Sequence, residues 1–125
     1  MNEPDRRKYA RVGIENLVWY NLLDENDQTI SQGMGKALNI CRAGLMLETV
    51  YPISPECILL NTVDMNNNVI EMKGKIIYCR KTDFAVYQSG INFIATEAKM
   101  DQFVIKLVRL HHLTKNESPA VTDAA

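Results

Sequence analysis

The sequence lacks long apolar runs and any excess of charge of one sign. Its 14 basic and 15 acidic residues nearly cancel, giving a formal net charge of -1 over 125 residues. Such a chain does not attract nucleic acid or an anionic membrane as a whole, so any anion has to bind locally. No apolar run approaches the roughly 18 residues of a membrane-spanning helix, and the charged N-terminus lacks the apolar segment of a secretory signal. We therefore expect a cytoplasmic protein that is not inserted in a membrane.

Cysteine is also scarce, and its spacing does not suggest a metal site. Cys41, Cys57 and Cys79 are odd in number and far apart, without a C-x-x-C pair, so we expect free thiols, no metal and no cofactor. His111 and His112 are neighbours, and no nucleophile accompanies them. The carboxylates are scattered, and no phosphate-binding loop of the type G-x-x-x-x-G-K-[ST] occurs. These absences predict that the protein is not an enzyme.

What the sequence does contain is a series of short segments with the two-residue alternation of β-strands. Leu45, Leu47 and Thr49, for example, fall on one face of such a segment. Gly33 and Gly35 indicate either a bulge or a strongly bent, barrel-like strand in the second segment. Turns separate about six segments, at residues 12–20, 29–37, 45–50, 56–64, 69–80 and 84–94.

The apolar period then changes to that of a helix. One stripe repeats at helical spacing and ends near His112, and Thr96 is placed to cap its start; the stripe is Met100, Phe103, Val104, Leu107 and Val108. Ile105 and Leu110 form either a second stripe for pairing or, as we expect, part of a broad core face. Residues 113–125 are polar or small and predict a disordered tail.

Six strands followed by one helix predict a mainly all-β domain, a small antiparallel barrel or sandwich with a C-terminal helix. We divide the chain into a flexible basic leader at 1–11, the domain at 12–112 and the tail at 113–125. The leader carries Arg6 and an R-x-x-x-R motif, Arg7 to Arg11. Its role is either that of a solvated tail or that of an anion-binding segment.

Two further motifs accompany these arginines. Asn39-x-Cys41-x-x-Gly44 lies at a junction between two predicted strands, and "GINF", residues 90–93, precedes the helix. In this order the three elements resemble the PilZ family, which has R-x-x-x-R in an N-terminal loop and [D/N]-x-S-x-x-G on a strand two to three dozen residues later. The resemblance covers nearly the whole chain. It implies a six- to seven-stranded antiparallel β-barrel, a C-terminal helix and the bacterial second messenger cyclic di-GMP as ligand.

The resemblance also implies roles for individual residues. Arginine can bind a phosphate or a guanine edge bidentately, or stack on the base, and an arginine directly before the motif accompanies a stacked ligand dimer. The asparagine amide suits a guanine edge, and the glycine lets ligand approach the backbone closely. Arg42 points either to solvent or to phosphate. The candidate ligand-binding residues are therefore Arg6, Arg7, Arg11, Asn39, Cys41, Arg42 and Gly44.

Cys41 departs from the family pattern, which has serine there. A thiol is a poorer hydrogen-bonding group, and the loss of one ordinary hydrogen bond costs about 0.5–1.5 kcal/mol. Two functions stay open: a receptor whose leader folds over the ligand and creates a surface for a downstream protein, or a protein–protein interaction module that no longer binds the nucleotide. The family as a whole implies motility, biofilm formation, adhesion, exopolysaccharide production and virulence. A barrel for single-stranded nucleic acid is disfavoured by 7% aromatic residues and a negative net charge.

Overall fold

Strand alternation along the sequence produces a closed barrel. A computed structural model describes residues 12–53, 57–64 and 66–124; the leader with Arg6, Arg7 and Arg11 lies outside the described residues. The barrel has the strand order β1-β2-β3-β6-β5-β4, with every neighbouring pair antiparallel. The elements are β1 Val12–Leu23, β2 Thr29–Cys41, β3 Gly44–Thr49, β4 Cys57–Val63, β5 Val69–Lys81, β6 Tyr87–Phe93 and α1 Glu97–Ala124.

The predicted antiparallel barrel with one C-terminal helix is confirmed. Leu45, Leu47 and Thr49 are buried as the alternation requires. Strand β2 runs on to Cys41, four residues beyond its predicted end. Its register with β1 is continuous through Gly33 and Gly35, so neither glycine lies at a bulge. The alternative prediction, a strand bent into a barrel, fits the observed closure.

Helix α1 covers one end of the barrel. The Thr96 hydroxyl accepts a hydrogen bond from the backbone N–H of Lys99 at 3.2 Å, as predicted for the cap. Phe103 and Leu107 are buried, and Met100, Val104 and Val108 are partly buried against the same core. Phe103 meets Phe93 edge to face at 5.3 Å between ring centroids. The predicted apolar stripe is thus confirmed as the face that closes the barrel.

The helix does not end near His112, where the sequence analysis placed its end, but continues to Ala124. Extension of an existing helix adds one hydrogen bond for each residue fixed, without a new nucleation step. The helix can therefore continue past the turns that contact the barrel, without further apolar contacts. Ile105 is exposed and Leu110 is half-buried, and the helix residues that pack against the core are those of the predicted stripe, so the core face is narrower than expected. Among the described residues, no helix is both long enough and apolar enough to cross a bilayer.

Candidate ligand site

A depression of about 200 Å³ lies on the outer wall of the barrel, between the β2–β3 turn and strands β5 and β6. Three predicted ligand residues, Asn39, Cys41 and Gly44, line it together with Gly90 of the "GINF" motif. None of the residues that line it is charged, so the described part of the chain offers the depression apolar and neutral polar groups. The lining consists of Asn39, Cys41, Ala43, Gly44, Leu45, Met46, Ile77, Tyr78, Gly90, Ile91 and Asn92.

Asn39 lies where the chain from the leader joins the barrel. Its φ of 48° is in the left-handed region, which asparagine tolerates better than most residues, and the register of β2 with β3 shifts between Leu38 and Cys41. The side chain is exposed. A Cβ on Gly13 would lie 3.9 Å from its Oδ1, and Val12 pairs with Ile40. The pairing of β1 with β2 therefore sets Asn39 beside the first residues after the leader.

Gly44 is required by the close approach of two strands. It pairs with Asn92 of β6, and a Cβ on Gly44 would overlap the carbonyl oxygen of Ile91 and lie 3.1 Å from its carbonyl carbon. The sequence analysis assigned this glycine to ligand approach; the structure gives it an architectural reason as well. Cys41, which pairs with Gly44 across the turn, is half-buried and is a free thiol.

Arg42 is turned away from the depression, toward the start of α1. Its Nη2 lies 3.3 Å from Oε1 of Glu97 and 3.1 Å from Oδ2 of Asp101, and its Nε forms an ion pair with the Asp101 carboxylate. The sequence analysis considered solvent and phosphate but not these carboxylate partners, and the role of Arg42 toward phosphate stays a prediction. Because both carboxylates attract the guanidinium, Arg42 connects the β2–β3 turn to the first two turns of the helix.

Tyr78 is a site residue that the sequence analysis missed. The register of β5 with β6 shifts between Ile76 and Tyr78, so Ile77 is an extra residue and Tyr78 lies opposite Gly90. A Cβ on Gly90 would lie 2.9–3.0 Å from Cζ and Cδ2 of the Tyr78 ring, so only glycine leaves room for the ring there. The tyrosine is 43% exposed. A flat aromatic face at the rim of the depression suits stacking with a planar ligand.

The chemistry of the depression follows from these neighbours. Asn39 and Asn92 each offer an amide that can donate and accept hydrogen bonds, and Tyr78 offers an aromatic face. The Arg80 guanidinium carbon lies 5.9 Å from the centroid of the Tyr78 ring. Within the described ranges, no three His, Cys, Asp or Glu side chains are grouped closely enough to hold a metal ion. The arrangement can bind a planar base with polar edges.

Solved structures share this fold, although no family profile and no curated protein sequence matches the chain. The PilZ domain of YcgR from Escherichia coli, solved with c-di-GMP, has a TM-score of 0.63 at 9% identity, covering 91% of this chain and 98% of that chain. The PilZ domain of CeSA from a cellulose-synthesizing bacterium has a TM-score of 0.58 at 14% identity, covering 80% of this chain and 96% of that chain. The inhibitor of motility MotI/DgrA of Bacillus subtilis has a TM-score of 0.59 at 15% identity, covering 90% of this chain; the likeness spans 53% of MotI/DgrA. These similarities show that the chain has the fold of a PilZ domain.

Proposed function

We propose that this chain is a cytoplasmic bacterial receptor for cyclic di-GMP, without catalytic activity of its own. One guanine base of the ligand stacks in the depression, and the leader arginines bind the phosphates above it. The observation that carries this proposal is an uncharged, partly aromatic depression beside the point where the strongly basic leader ends and β1 begins. A dianionic nucleotide needs positive charge that the lining does not supply. Arg80 lies beside the Tyr78 ring and Arg42 is held by two carboxylates of α1, so we assign most of the positive charge to the leader, which joins the barrel next to Asn39.

The reach of the leader supports this arrangement. Arg11 directly precedes Val12, which pairs with Ile40 next to Asn39. Arg7 is five positions before Val12, and a fully extended chain of that length spans at most about 18 Å. Both arginines can therefore reach the depression, where each guanidinium can form a bidentate pair of hydrogen bonds with a phosphate or with a guanine edge. Arg6, directly before them, supplies a third guanidinium, which can bind a second, stacked ligand molecule.

The size of the depression gives the leader a further task. At about 200 Å³ it is smaller than the roughly 300–1,000 Å³ of a pocket that encloses a drug-sized ligand. A cyclic dinucleotide is therefore only partly covered by the barrel. The leader folds over the remainder, and ordering it costs about 1–2 kcal/mol for each backbone residue. This ordering is what creates a new surface for a downstream protein, as a population shift driven by the ligand.

Calorimetric titration of cyclic di-GMP into the purified chain tests the proposal. Arg7→Ala and Arg11→Ala should each lose binding, because each removes a motif guanidinium. Lys8→Ala is the matched control: it removes one positive charge from the same segment but no motif position, so it should keep most of the affinity. If all three variants bind equally, the leader contributes only general charge and the proposed role of the motif is wrong.

Tyr78 provides a second test on the described part of the site. Stacking of a base on an aromatic ring contributes about 1–3 kcal/mol, so Tyr78→Leu should weaken binding by about fivefold to over a hundredfold. Tyr78→Phe keeps the ring and should bind nearly as tightly as the parent. Equal affinity of the Leu and Phe variants would place the base elsewhere. The stoichiometry of the same titrations, compared with that of Arg6→Ala, reports whether one or two ligand molecules bind.

The second candidate function is a protein–protein interaction module that does not bind the nucleotide. The observation that favours it is Cys41, whose thiol replaces the serine hydroxyl of the motif. Under the receptor proposal, Cys41→Ser should tighten binding by up to about tenfold, because a hydroxyl forms a stronger hydrogen bond. If the folded parent chain gives no heat and Cys41→Ser does, the site has lost its ligand through this residue. If neither binds, the receptor proposal is wrong.

A further inference from the structure

A second feature of the barrel lies on the wall formed by β2, β1, β4 and β5. Five large apolar side chains point outward there and are exposed to between 42% and 66%. We call this set the outer apolar face: Leu17, Trp19, Met34, Val63 and Val69. The depression lies on a different wall, between the β2–β3 turn, β5 and β6.

Strand register makes these side chains neighbours. Trp19 pairs with Met34 on one side and with Asn61 on the other. Val63 pairs with Val69, and the Thr62 hydroxyl donates a hydrogen bond to the carbonyl oxygen of Leu17 at 3.3 Å. The five residues therefore occupy two adjacent rows across four strands rather than scattered positions.

Burial in the core does not explain these residues. The barrel has its own core, formed by the alternate positions of the same strands, such as Val18 and Leu60. Outward positions of a half-exposed antiparallel sheet are ordinarily polar. A contiguous apolar face of this kind on a folded domain marks an interaction surface, and a tryptophan near its centre is typical of residues that carry binding energy.

Charged side chains flank the outer apolar face at opposite edges. Lys36 on β2 pairs with Leu17, and Glu71 on β5 pairs with Asn61. The Lys36 ammonium lies 3.8 Å from the Glu15 carboxylate, and its side chain is 40% exposed. Lys36 therefore offers a positive charge at the β2 edge, beside the Glu15 carboxylate, and Glu71 offers a negative charge at the β5 edge, where Lys73 is already paired with Asp27.

We propose that the outer apolar face binds the same face of a second copy of this chain, about a two-fold axis parallel to the strands and between β1 and β4. This axis places β2 of one copy over β5 of the other, so Lys36 lies one outward position from the partner's Glu71, and the pair occurs twice. Leu17 then lies over the partner's Val63. Sheets stacked in this way are about 10 Å apart, with interdigitated side chains. The apolar centre and charged rim match the usual anatomy of an interface.

The oligomeric state of the nucleotide-free full chain tests this proposal, independently of cyclic di-GMP. We expect a dimer by sedimentation equilibrium in the micromolar range. Leu17→Lys should weaken it by about tenfold or more, because it buries a charge in the centre of the interface. Ile30→Lys is the matched control, since Ile30 is 56% exposed on β2 but outside the face; it should leave the dimer unchanged. Far-UV circular dichroism shows that each variant is folded.

A charge exchange tests the geometry. Lys36→Glu and Glu71→Lys should each weaken the dimer through like-charge contacts, and the double variant should restore it, because both pairs are re-formed with reversed sign. A chain that is monomeric up to several hundred micromolar overturns the proposal and points instead to a different protein on this face. Equal effects of Leu17→Lys and Ile30→Lys overturn it too, and failure of the double variant to restore the dimer overturns the two-fold arrangement.

Discussion

Replacement of Gly44 by alanine tests the closest approach in the barrel. The added Cβ would overlap the Ile91 carbonyl oxygen and lie 3.1 Å from the carbonyl carbon of Ile91 and 3.3 Å from Cα of Asn92. All three are backbone atoms of β6, so no change of side-chain rotamer can relieve the overlap. The two strands would have to separate at the Gly44–Asn92 pair, where β3 begins.

The cost has two parts. Overpacking in a well-packed interior costs about 1–3 kcal/mol, and a backbone hydrogen bond lost as the strands separate adds about 1 kcal/mol. We therefore expect Gly44→Ala to lower the free energy of unfolding by about 3 kcal/mol. That is a large share of the roughly 5–15 kcal/mol that stabilises an ordinary domain.

Urea denaturation followed by far-UV circular dichroism measures this loss without any nucleotide. Gly13→Ala is the matched control, because its Cβ meets only Oδ1 of Asn39, at an ordinary 3.9 Å. Both substitutions reduce the conformational entropy of the unfolded chain equally, and this effect alone stabilises the folded state by about 0.4–1 kcal/mol. The difference between the two variants therefore reports only the contacts of the added Cβ. If Gly44→Ala is as stable as Gly13→Ala, the approach of β3 to β6 is not as close as described, and only the ligand role of Gly44 is left.

Three further changes test other parts of the structure. Leu107→Ala empties a fully buried position under the helix and should lower the free energy of unfolding by about 2–5 kcal/mol in urea. Arg42→Gln removes two partly exposed ion pairs; it should cost about 0.5–1 kcal/mol at low salt, and the difference from the parent should shrink at high salt. The pKa of Asp64 is lowered, chiefly because its carboxylate accepts the backbone N–H of Asn68, so its contribution to stability is complete above the ordinary carboxyl pKa and is lost as the pH falls through the lowered value. Asp64→Asn should therefore show a smaller loss of stability between neutral pH and acid than the parent, measured as the urea midpoint against pH.

The barrel and the start of its helix were predictable because both follow from local spacing. Alternation in "LMLETV" and the three-to-four spacing from Met100 to Val108 each fix which face is buried. Tyr78 was not predictable in the same way, because it faces outward at the rim only through the register shift at Ile77, and a shift of one residue reverses the face of a strand. The partners of Arg42 come from an element 55 and 59 residues away, which no local pattern indicates. The end of the helix was missed because the sequence after residue 112 is polar or small and has no apolar stripe at helical spacing.

The two carboxylates that hold Arg42 also repel each other. Glu97 and Asp101 are four residues apart on α1, a spacing at which like charges destabilise a helix, although the helix dipole favours acidic groups at this end. The guanidinium between them cancels that repulsion. An anionic ligand that drew Arg42 toward the neighbouring depression would leave the like-charged pair unscreened at the first two turns of the helix. Ligand occupancy and docking of the helix would then oppose each other, with Arg42 as the cation for which both compete.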